Sequence, residues 1–196
     1  MNLLLILIIC FFLGSFPTAY ILVKRIFQKD IRKIGSGNPG MMNVLDNFGK
    51  RYAYFVGTID ILKGIIAVSI AKLYSPNETF AVLAGLTAIA GHDFTPFLKF
   101  KGGNGVATGG GAVLALMPLA SGIACTTGLI TAIVVKSRRF GGNIAVILVP
   151  IMGFYMDESS ILVFGSALIM LSIVLKVIFF EGFSLYHKKN KKVKID

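Results

Sequence analysis

Long apolar stretches separated by short polar segments form the dominant pattern along this chain. Seven such stretches occur, at residues 2–23, 53–74, 79–94, 105–119, 120–136, 143–157 and 159–180. A helix needs about 20 predominantly apolar residues to cross the roughly 30 Å of hydrocarbon in a bilayer. The third, fourth and sixth stretches are shorter, which leaves half-length or re-entrant helices, and a total of five or six crossings, as alternatives. The pattern predicts an all-α polytopic membrane protein with about seven transmembrane helices, forming a single domain over residues 1–196.

The composition favours a membrane protein over a water-soluble one. Hydrophobic residues make up 55% of the chain and charged residues only 15%, whereas soluble domains carry roughly 25% charged residues. Intrinsic disorder is also excluded, because it requires low hydrophobicity. The net charge of +11 would indicate nucleic-acid binding in a soluble protein. In a membrane protein such charge marks the cytoplasmic loops, so no nucleic-acid partner is expected.

The basic residues predict an orientation in the membrane. Of the 20 Lys and Arg residues, 17 lie in four segments, at residues 24–52, 95–104, 136–142 and 181–196. Seven crossings would bring all four segments to the same side of the membrane. The positive-inside rule then predicts an N-terminus outside the cytoplasm and a C-terminus inside it.

The first polar cluster lies at residues 35–43, between the first two apolar stretches. Its nine residues are three glycines, two asparagines, two methionines, a serine and a proline. Glycine allows positive φ angles and the close approach of a ligand, and successive backbone N–H groups in such a loop bind phosphate. The pattern favours a phosphate-binding loop, and an ordinary connection between membrane helices is the alternative.

The second polar cluster lies at residues 91–111 and leads into the fourth apolar stretch. It combines His92 with Lys99, Lys101 and a glycine-rich turn at residues 102–105. A helix N-terminus preceded by glycines is suited to binding an anion, and the two lysines add positive charge. Alternatively, the lysines only anchor the loop at lipid headgroups. The whole cluster predicts a phosphate site.

Two ionisable residues interrupt the second apolar stretch. Asp60 and Lys63 are three residues apart, so they share one helix face. Ionisable residues within a span are costly and usually face the interior of the helix bundle. We interpret them as an ion pair that holds helices together and supports the site from behind. In the first stretch, the sequence Gly-Ser-Phe-Pro at residues 14–17 predicts a kink or a point of close packing.

The tail and the cysteines carry weaker signals. His187 and Asn190 have a spacing that brings two polar groups onto one helical turn, although a basic tail held by anionic lipid is the alternative. Cys10 and Cys125 have no metal-binding spacing, so no metal site is predicted.

Four motifs occur in order along the chain. They are Gly-Ser-Phe-Pro-Thr-Ala-Tyr at residues 14–20, Asp-Ile-Arg at 30–32 leading into the first polar cluster, Asp-x-x-Lys-Gly at 60–64, and the second cluster at 91–108. Together they resemble the PlsY family of bacterial acyl-phosphate:glycerol-3-phosphate acyltransferases. The resemblance implies a seven-helix enzyme of the bacterial cytoplasmic membrane, with its active face toward the cytoplasm. It also implies transfer of an acyl group from acyl phosphate to the 1-hydroxyl of glycerol 3-phosphate, which yields lysophosphatidic acid for phospholipid synthesis without a metal or organic cofactor.

The resemblance also assigns site residues. Ser36 and His92 would be catalytic. Substrate binding would involve Gly37, Asn38, Gly40, Asn43, Lys101, Gly102, Gly103, Asn104, Gly105, His187 and Asn190. Ser36 would place a hydroxyl near the reacting phosphate, the turn at residues 101–105 would hold a phosphate by backbone N–H groups, and Asn190 would bind glycerol phosphate. The expected partners are the two substrates, membrane lipids and the enzyme that produces the acyl phosphate.

Four positions depart from the family pattern. Met42, Asp46, Asn104 and Gly141 stand where the family usually has Thr, Arg, Lys and Ser. Reversing a charge beside a bound phosphate costs several kcal/mol in a partly dry site. The alternative function is therefore a catalytically impaired relative that binds lipid phosphates or regulates an active copy.

Overall fold

Helices form the architecture of the described part of the chain. A computed structural model describes residues 2–178, and these residues contain helices and connecting segments but no β-strand. In chain order, the α-helices are α1 (Leu3–Ser15), α2 (Thr18–Phe27), α3 (Met41–Phe48), α4 (Lys50–Tyr74), α5 (Glu78–Asp93), α6 (Val106–Leu116), α7 (Pro118–Val134), α8 (Arg138–Tyr155) and α9 (Ser160–Lys176). There are two short 3-10 helices. Ile31–Lys33 lies just before the first polar cluster, and Pro96–Leu98 lies within the second.

The prediction of an all-α polytopic membrane protein is confirmed. Three helical segments are long and apolar enough to cross a bilayer, at Leu3–Phe27, Lys50–Tyr74 and Glu78–Leu98. Four shorter apolar helices follow, at Val106–Leu116, Pro118–Val134, Phe140–Tyr155 and Ser160–Lys176. Within residues 2–178, these segments coincide with the seven apolar stretches of the sequence.

A break at Phe16 and Pro17 divides the first apolar stretch into α1 and α2. Proline disfavours the helical conformation in the residue before it, and Phe16 is accordingly extended, with a ψ of 115°. Just before the break, Gly14 packs so closely on α5 that a Cβ would lie 1.9 Å from the carbonyl oxygen of Ala88. The kink and the close contact predicted for residues 14–17 are both confirmed.

Helix α3 lies within residues 24–52, where the sequence pattern predicted only a loop, and that prediction was wrong for these residues. The buried side of α3 carries Asn43 and Val44. Val44 packs in a small apolar cluster with Ala53 and Val56 of α4. Helix α3 has only eight residues, and its buried side is formed by only two of them. Its sequence therefore shows too little hydrophobic periodicity to be distinguished from a polar loop. The helix holds the first polar cluster against the start of α4.

Other helix boundaries differ by a few residues from the predicted ones. Helix α4 begins at Lys50, before the apolar stretch at residues 53–74, because the charged residues Lys50 and Arg51 form part of its first turn. Helix α6 ends at Leu116, since Pro118 occupies the first position of α7, where proline is favoured. Helix α8 begins before its apolar stretch because the Ser137 hydroxyl accepts a hydrogen bond from the N–H of Phe140 at 3.3 Å, which caps the helix.

The centre of the bundle is formed by α4, α5 and α6. Helix α4 packs against both α5 and α6, while α1 and α9 cover α5. Glycines permit the closest approaches, because a Cβ on Gly64 would lie 2.0 Å from the carbonyl oxygen of Thr108. Small residues at helix contacts are typical of membrane proteins. This close α4–α6 contact fixes the start of α6, where the second polar cluster ends.

We expect Gly111→Ala to destabilise the protein and the neighbouring Gly110→Ala to leave it as stable or slightly more stable. A Cβ on Gly111 would lie 2.0 Å from the carbonyl oxygen of Ile61, whereas nothing lies within 4 Å of a Cβ on Gly110. Overpacking costs about 1–3 kcal/mol, while alanine is preferred over glycine in a helix. Thermal unfolding in detergent measures both variants. Equal unfolding midpoints for the two would contradict the close α4–α6 contact.

Candidate active site

A small cleft lies where the α1–α2 break meets the two polar clusters. Its walls include Phe16 and Pro17 from the break, Pro39 from the first cluster, and His92 and Gly103 from the second. The fold thus joins segments that are far apart in the sequence. We take this cleft as the candidate active site.

Asn43 organises the first polar cluster. Its side-chain amide donates hydrogen bonds to the carbonyl oxygens of Ile34 at 3.0 Å and Asn38 at 2.9 Å. Its Oδ1 accepts from the backbone N–H of Ser36 at 3.2 Å. Because both ends of the amide shape the loop, the observed role of Asn43 is structural. Direct contact between Asn43 and a substrate stays a prediction.

The other predicted residues of the first cluster bend its backbone or lie at its surface. Ser36 is exposed, and its Oγ accepts a hydrogen bond from the backbone N–H of Asn38 at 3.3 Å. Gly37 has a φ of +79°, a left-handed conformation that favours glycine. Gly40 directly precedes α3. The loop reaches the cleft through Pro39 rather than through Ser36, so the proposed roles of these residues remain predictions.

An ion pair fixes the entry to the first cluster. The Arg32 guanidinium donates to both carboxylate oxygens of Asp30, at 3.0 and 2.8 Å, and lies over the ring of Tyr20 at 4.9 Å from its centroid. The hydrogen bond from Arg32 holds the pKa of the Asp30 carboxyl below its usual range. The pair ties the segment before the cluster to α2.

The second polar cluster folds back onto the end of α5. The N–H of Gly102 donates to the carbonyl oxygen of Asp93 at 3.0 Å, and the N–H of Gly103 donates to the carbonyl oxygen of His92 at 3.2 Å. A helix leaves its last carbonyl groups without intrahelical partners, and these two glycines satisfy two of them. Both N–H groups are thus engaged within this structure, and phosphate binding by the turn at residues 101–105 stays a prediction.

The remaining residues of this turn lead into α6. Lys101 is exposed and Asn104 is half-buried. Gly105 has a φ of +68° and directly precedes Val106, the first residue of α6. The first N–H groups of a helix have no intrahelical partner and attract anions. The start of α6 is therefore the part of the second cluster whose backbone is suited to an anion.

His92 faces the cleft from the end of α5. Its Nδ1 lies 3.3 Å from the Thr108 hydroxyl oxygen and 3.9 Å from Oδ1 of Asp60. The opposite ring nitrogen lies beside Gly103, where a Cβ would be 2.2 Å from Nε2. Both residues line the cleft. Gly103 therefore leaves room for the imidazole at the wall of the cleft.

Asp60 and Lys63 lie directly behind the cleft and form the ion pair predicted from the sequence. Lys63 Nζ donates to Oδ1 of Asp60 at 2.6 Å and to the carbonyl oxygen of Phe16 at 2.6 Å. The Thr18 hydroxyl donates to the same Asp60 oxygen at 3.1 Å. The two charged residues are only 2% and 3% exposed. The pair therefore joins both sides of the α1–α2 break to α4.

Two further polar residues near the cleft were not identified from the sequence. The Thr95 hydroxyl donates to the carbonyl oxygen of Ser15 at 2.6 Å and lines the cleft. Lys176, at the end of α9, donates to the carbonyl oxygen of Asp93 at 3.1 Å and lies over the Phe94 ring. A lysine inside the apolar stretch 159–180 was itself a signal, because intramembrane charges usually face a bundle interior.

The four positions that depart from the family pattern do not share one location. Met42 and Asp46 are exposed on α3, and Asn104 lies in the turn before α6. Gly141 instead packs α8 against α7, where a Cβ would lie 2.3 Å from the carbonyl oxygen of Gly128. In this structure Gly141 permits helix packing, and the expectation that it replaces a hydroxyl facing phosphate stays a prediction. His187 and Asn190 lie outside the described residues.

The described residues offer no cluster typical of a metal site. Within residues 2–178, no three His, Cys, Asp or Glu side chains come together. Cys10 is buried, with its Sγ 3.6 Å from the carbonyl oxygen of Ala67, while Cys125 is exposed on α7. The two thiols lie in separate environments.

The comparisons with known proteins decide the family. A family profile described as glycerol-3-phosphate acyltransferase matches residues 4–192. This chain belongs to the glycerol-3-phosphate acyltransferase family. The resemblance drawn from the four motifs is thereby confirmed, and the matched region includes both walls of the cleft and the pair behind it.

Individual relatives in this family match at moderate identity. A glycerol-3-phosphate acyltransferase of Thermoanaerobacter pseudethanolicus is 37% identical over 169 residues, which cover 85% of this chain and 84% of the relative. One from Endomicrobium trichonymphae is 38% identical over 170 residues, covering 86% and 85%. One from Prochlorococcus marinus strain MIT 9515 is 46% identical over 112 residues, and in that match the chain spans 57% of the relative's length.

Solved structures of the family share the whole fold. A crystal structure of PlsY, an integral membrane glycerol 3-phosphate acyltransferase, in its glycerol 3-phosphate form has a TM-score of 0.83 and 26% identity, covering 98% of this chain and 96% of that one. The lysophosphatidic acid form of PlsY gives a TM-score of 0.80, also at 26% identity, covering 96% and 93%. The helical arrangement described above is thus that of an integral membrane acyltransferase family.

Proposed function

We propose that this protein transfers an acyl group from acyl phosphate to the 1-hydroxyl of glycerol 3-phosphate and so makes lysophosphatidic acid for phospholipid synthesis. The observation that carries the proposal is the single cleft at which the α1–α2 break, the first glycine-rich loop and His92 converge. Family membership supports it. The similar PlsY structures support it as well, because they are described as glycerol 3-phosphate and lysophosphatidic acid forms.

The chemistry needs orientation and charge stabilisation more than a covalent nucleophile, because acyl phosphate is already activated. The 1-hydroxyl oxygen of glycerol 3-phosphate attacks the acyl carbonyl carbon, and its proton passes to Nε2 of His92. The bond between that carbon and the bridging phosphate oxygen breaks, and its electron pair leaves with the phosphate. The proton then returns from His92 to the departing phosphate. The Ser36 hydroxyl donates a hydrogen bond to this phosphate.

The phosphate groups are held by donors at the rim of the cleft. The first N–H groups of α6, after Asn104 and Gly105, bind one phosphate, since helix N-termini favour anions. Lys101 adds a positive charge, and the bend at Gly37 and Gly40 opens the first loop to the ligand. His187 and Asn190 from the tail bind the glycerol phosphate. Gly102 and Gly103 contribute by shape, because their N–H groups already bond to α5.

The proposed orientation follows from charge. The basic connections at residues 24–52, 95–104 and 136–142 and the basic tail face the cytoplasm of a bacterial cytoplasmic membrane, with the N-terminus outside and the C-terminus inside. The cleft then opens toward water-soluble glycerol 3-phosphate. Acyl phosphate reaches it from the enzyme that produces this substrate, and membrane lipids surround the apolar helices.

Acyl transfer by the purified protein tests the proposal. The protein is reconstituted in lipid vesicles with palmitoyl phosphate and labelled glycerol 3-phosphate, and the acylated product is measured. We expect product from the parent and at least a tenfold slower rate from Ser36→Ala, since a lost hydrogen bond to a charged group costs about 1.5–3 kcal/mol. Folded parent protein that makes no product would contradict the proposed activity and favour the impaired relative.

The alternative is a catalytically impaired relative that binds lipid phosphates or regulates an active copy, and two residues favour it. Asp46 and Asn104 stand where the family usually has cations. We expect the double substitution Asp46→Arg with Asn104→Lys to lower KM for glycerol 3-phosphate by roughly tenfold or more, because each change favours bound phosphate. Steady-state kinetics with Lys50→Arg as a charge-preserving control measure it. An unchanged KM would show that neither position acts on a bound phosphate.

A further inference from the structure

A buried ionic network connects the walls of the cleft to one another. Asp60 and Lys63 lie within the apolar part of α4, where isolated charges are costly. Lys63 binds the Phe16 carbonyl oxygen and Asp60 accepts from Thr18, so the network reaches both sides of the α1–α2 break. An ion pair that only held helices together would not need to bond to residues that line a site. Asp60 and Lys63 do bond to such residues, because Thr18 and Phe16 both line the cleft.

The same carboxylate lies close to the inner nitrogen of His92. Oδ1 of Asp60 is 3.9 Å from Nδ1, and the Thr108 hydroxyl oxygen is 3.3 Å from the same nitrogen. Neutral imidazole carries one N–H, and its other nitrogen accepts a proton. A carboxylate only accepts hydrogen bonds when ionised, so its negative charge favours the tautomer with the proton on Nδ1. That tautomer leaves the Nε2 lone pair facing the cleft beside Gly103.

We infer that Asp60 and Lys63 are positioning residues that fix the tautomer of His92 and the α1–α2 break, and that the catalytic step depends on both. Asp60 favours the proton on Nδ1 of His92 through its nearby negative charge, and the Thr108 hydroxyl oxygen accepts the Nδ1–H hydrogen bond. Lys63 keeps the Asp60 carboxylate ionised and holds the Phe16 carbonyl oxygen in the opposite wall. The inference rests on the proposed function, because the acyl-transfer reaction supplies the proton that Nε2 accepts.

The double variant Asp60→Leu with Lys63→Met separates positioning from helix packing. Well-packed apolar residues replace buried ion pairs with little loss of stability, so the thermal unfolding midpoint should stay within a few degrees of the parent. We expect kcat to fall at least 100-fold, since small misplacement of reacting groups has effects of that size. KM for each substrate should change by less than about threefold. A stable double variant with parental kcat would overturn the inference.

A matched control lies on the same helix. Lys72 of α4 also donates to a backbone carbonyl oxygen, that of Ala115, at 2.7 Å, but it lies at the opposite end of α4 from the cleft. Lys72→Met should therefore retain parental kcat. If the double variant at residues 60 and 63 does not fold, Thr108→Val decides. We expect a kcat about tenfold below parent, restored by Thr108→Ser, and parental kcat in Thr108→Val would contradict the inference.

Nitrogen NMR of the imidazole tests the inference without activity. The chain has two histidines, so ¹⁵N-histidine labelling of His187→Gln leaves His92 as the single signal. We expect the shifts of an Nδ1-protonated ring in this background and a change toward the Nε2-protonated form in Asp60→Leu with Lys63→Met. Identical shifts in both would overturn the inference. A parent that shows the expected shifts but makes no product would instead refute the proposed function and leave the tautomer assignment standing.

Discussion

Gly103→Ala is expected to abolish acyl transfer while the protein still folds and inserts into membranes. The added Cβ would lie 2.2 Å from Nε2 of His92, a distance that the two atoms cannot occupy together. Since φ at Gly103 is not positive, the backbone tolerates alanine, and the imidazole must move instead. Displacing it removes the group that accepts the proton, and we expect kcat/KM to fall at least 100-fold.

Gly110→Ala is the matched control for this substitution. Nothing lies within 4 Å of a Cβ at Gly110, so the same chemical change on nearby α6 should leave kcat/KM unaltered. Steady-state kinetics and thermal unfolding of both variants make the measurement. Parental activity in Gly103→Ala would show that His92 does not act at this wall of the cleft.

Asp60→Asn is expected to cause the largest loss of stability among single substitutions near the cleft. The variant leaves the Lys63 ammonium buried beside a neutral amide, with Lys63 only 3% exposed. Breaking one partner of a buried ion pair costs about 3–5 kcal/mol, whereas replacing both partners by apolar residues is often neutral. Asp60→Asn should therefore unfold well below the double variant Asp60→Leu with Lys63→Met.

Unfolding of the three proteins in the same detergent provides the measurement. The parent and the double variant should have similar midpoints, and Asp60→Asn should lie clearly below both. Asp60→Asn as stable as the parent would contradict a desolvated ion pair. It would mean that water reaches Lys63 from the cleft.

Much of the fold follows from the apolar pattern because a bilayer imposes it. Backbone groups in hydrocarbon must bond within their own helix, so each apolar stretch of the described chain is helical, with the first divided into α1 and α2. Pro17 predicted the break between α1 and α2, and Gly14 predicted the close contact with α5, because each residue acts through local geometry. Helix α3 was missed because its stability comes from Val44 packing on α4 and from Asn43, which are tertiary effects that a short segment does not reveal.

The candidate site was only partly visible in the sequence. The glycine-rich clusters and the pair Asp60 and Lys63 could be identified, because their residue types are unusual between apolar stretches. The partners of Gly102 and Gly103 could not, since their N–H groups bond to the end of α5 only after the chain folds back. The packing role of Gly141 was missed for a similar reason. A glycine that permits helix packing looks the same in sequence as one that replaces a serine.

Acyl transfer with oxygen-labelled acceptor tests the central claim most directly. Parent protein in vesicles receives palmitoyl phosphate and glycerol 3-phosphate carrying ¹⁸O in its 1-hydroxyl, and mass spectrometry follows the label. Attack by this hydroxyl predicts that the ¹⁸O stays in the ester of lysophosphatidic acid, with one unlabelled inorganic phosphate released per product. Phosphate release without labelled ester would contradict the account, because it would mean hydrolysis of acyl phosphate rather than acyl transfer.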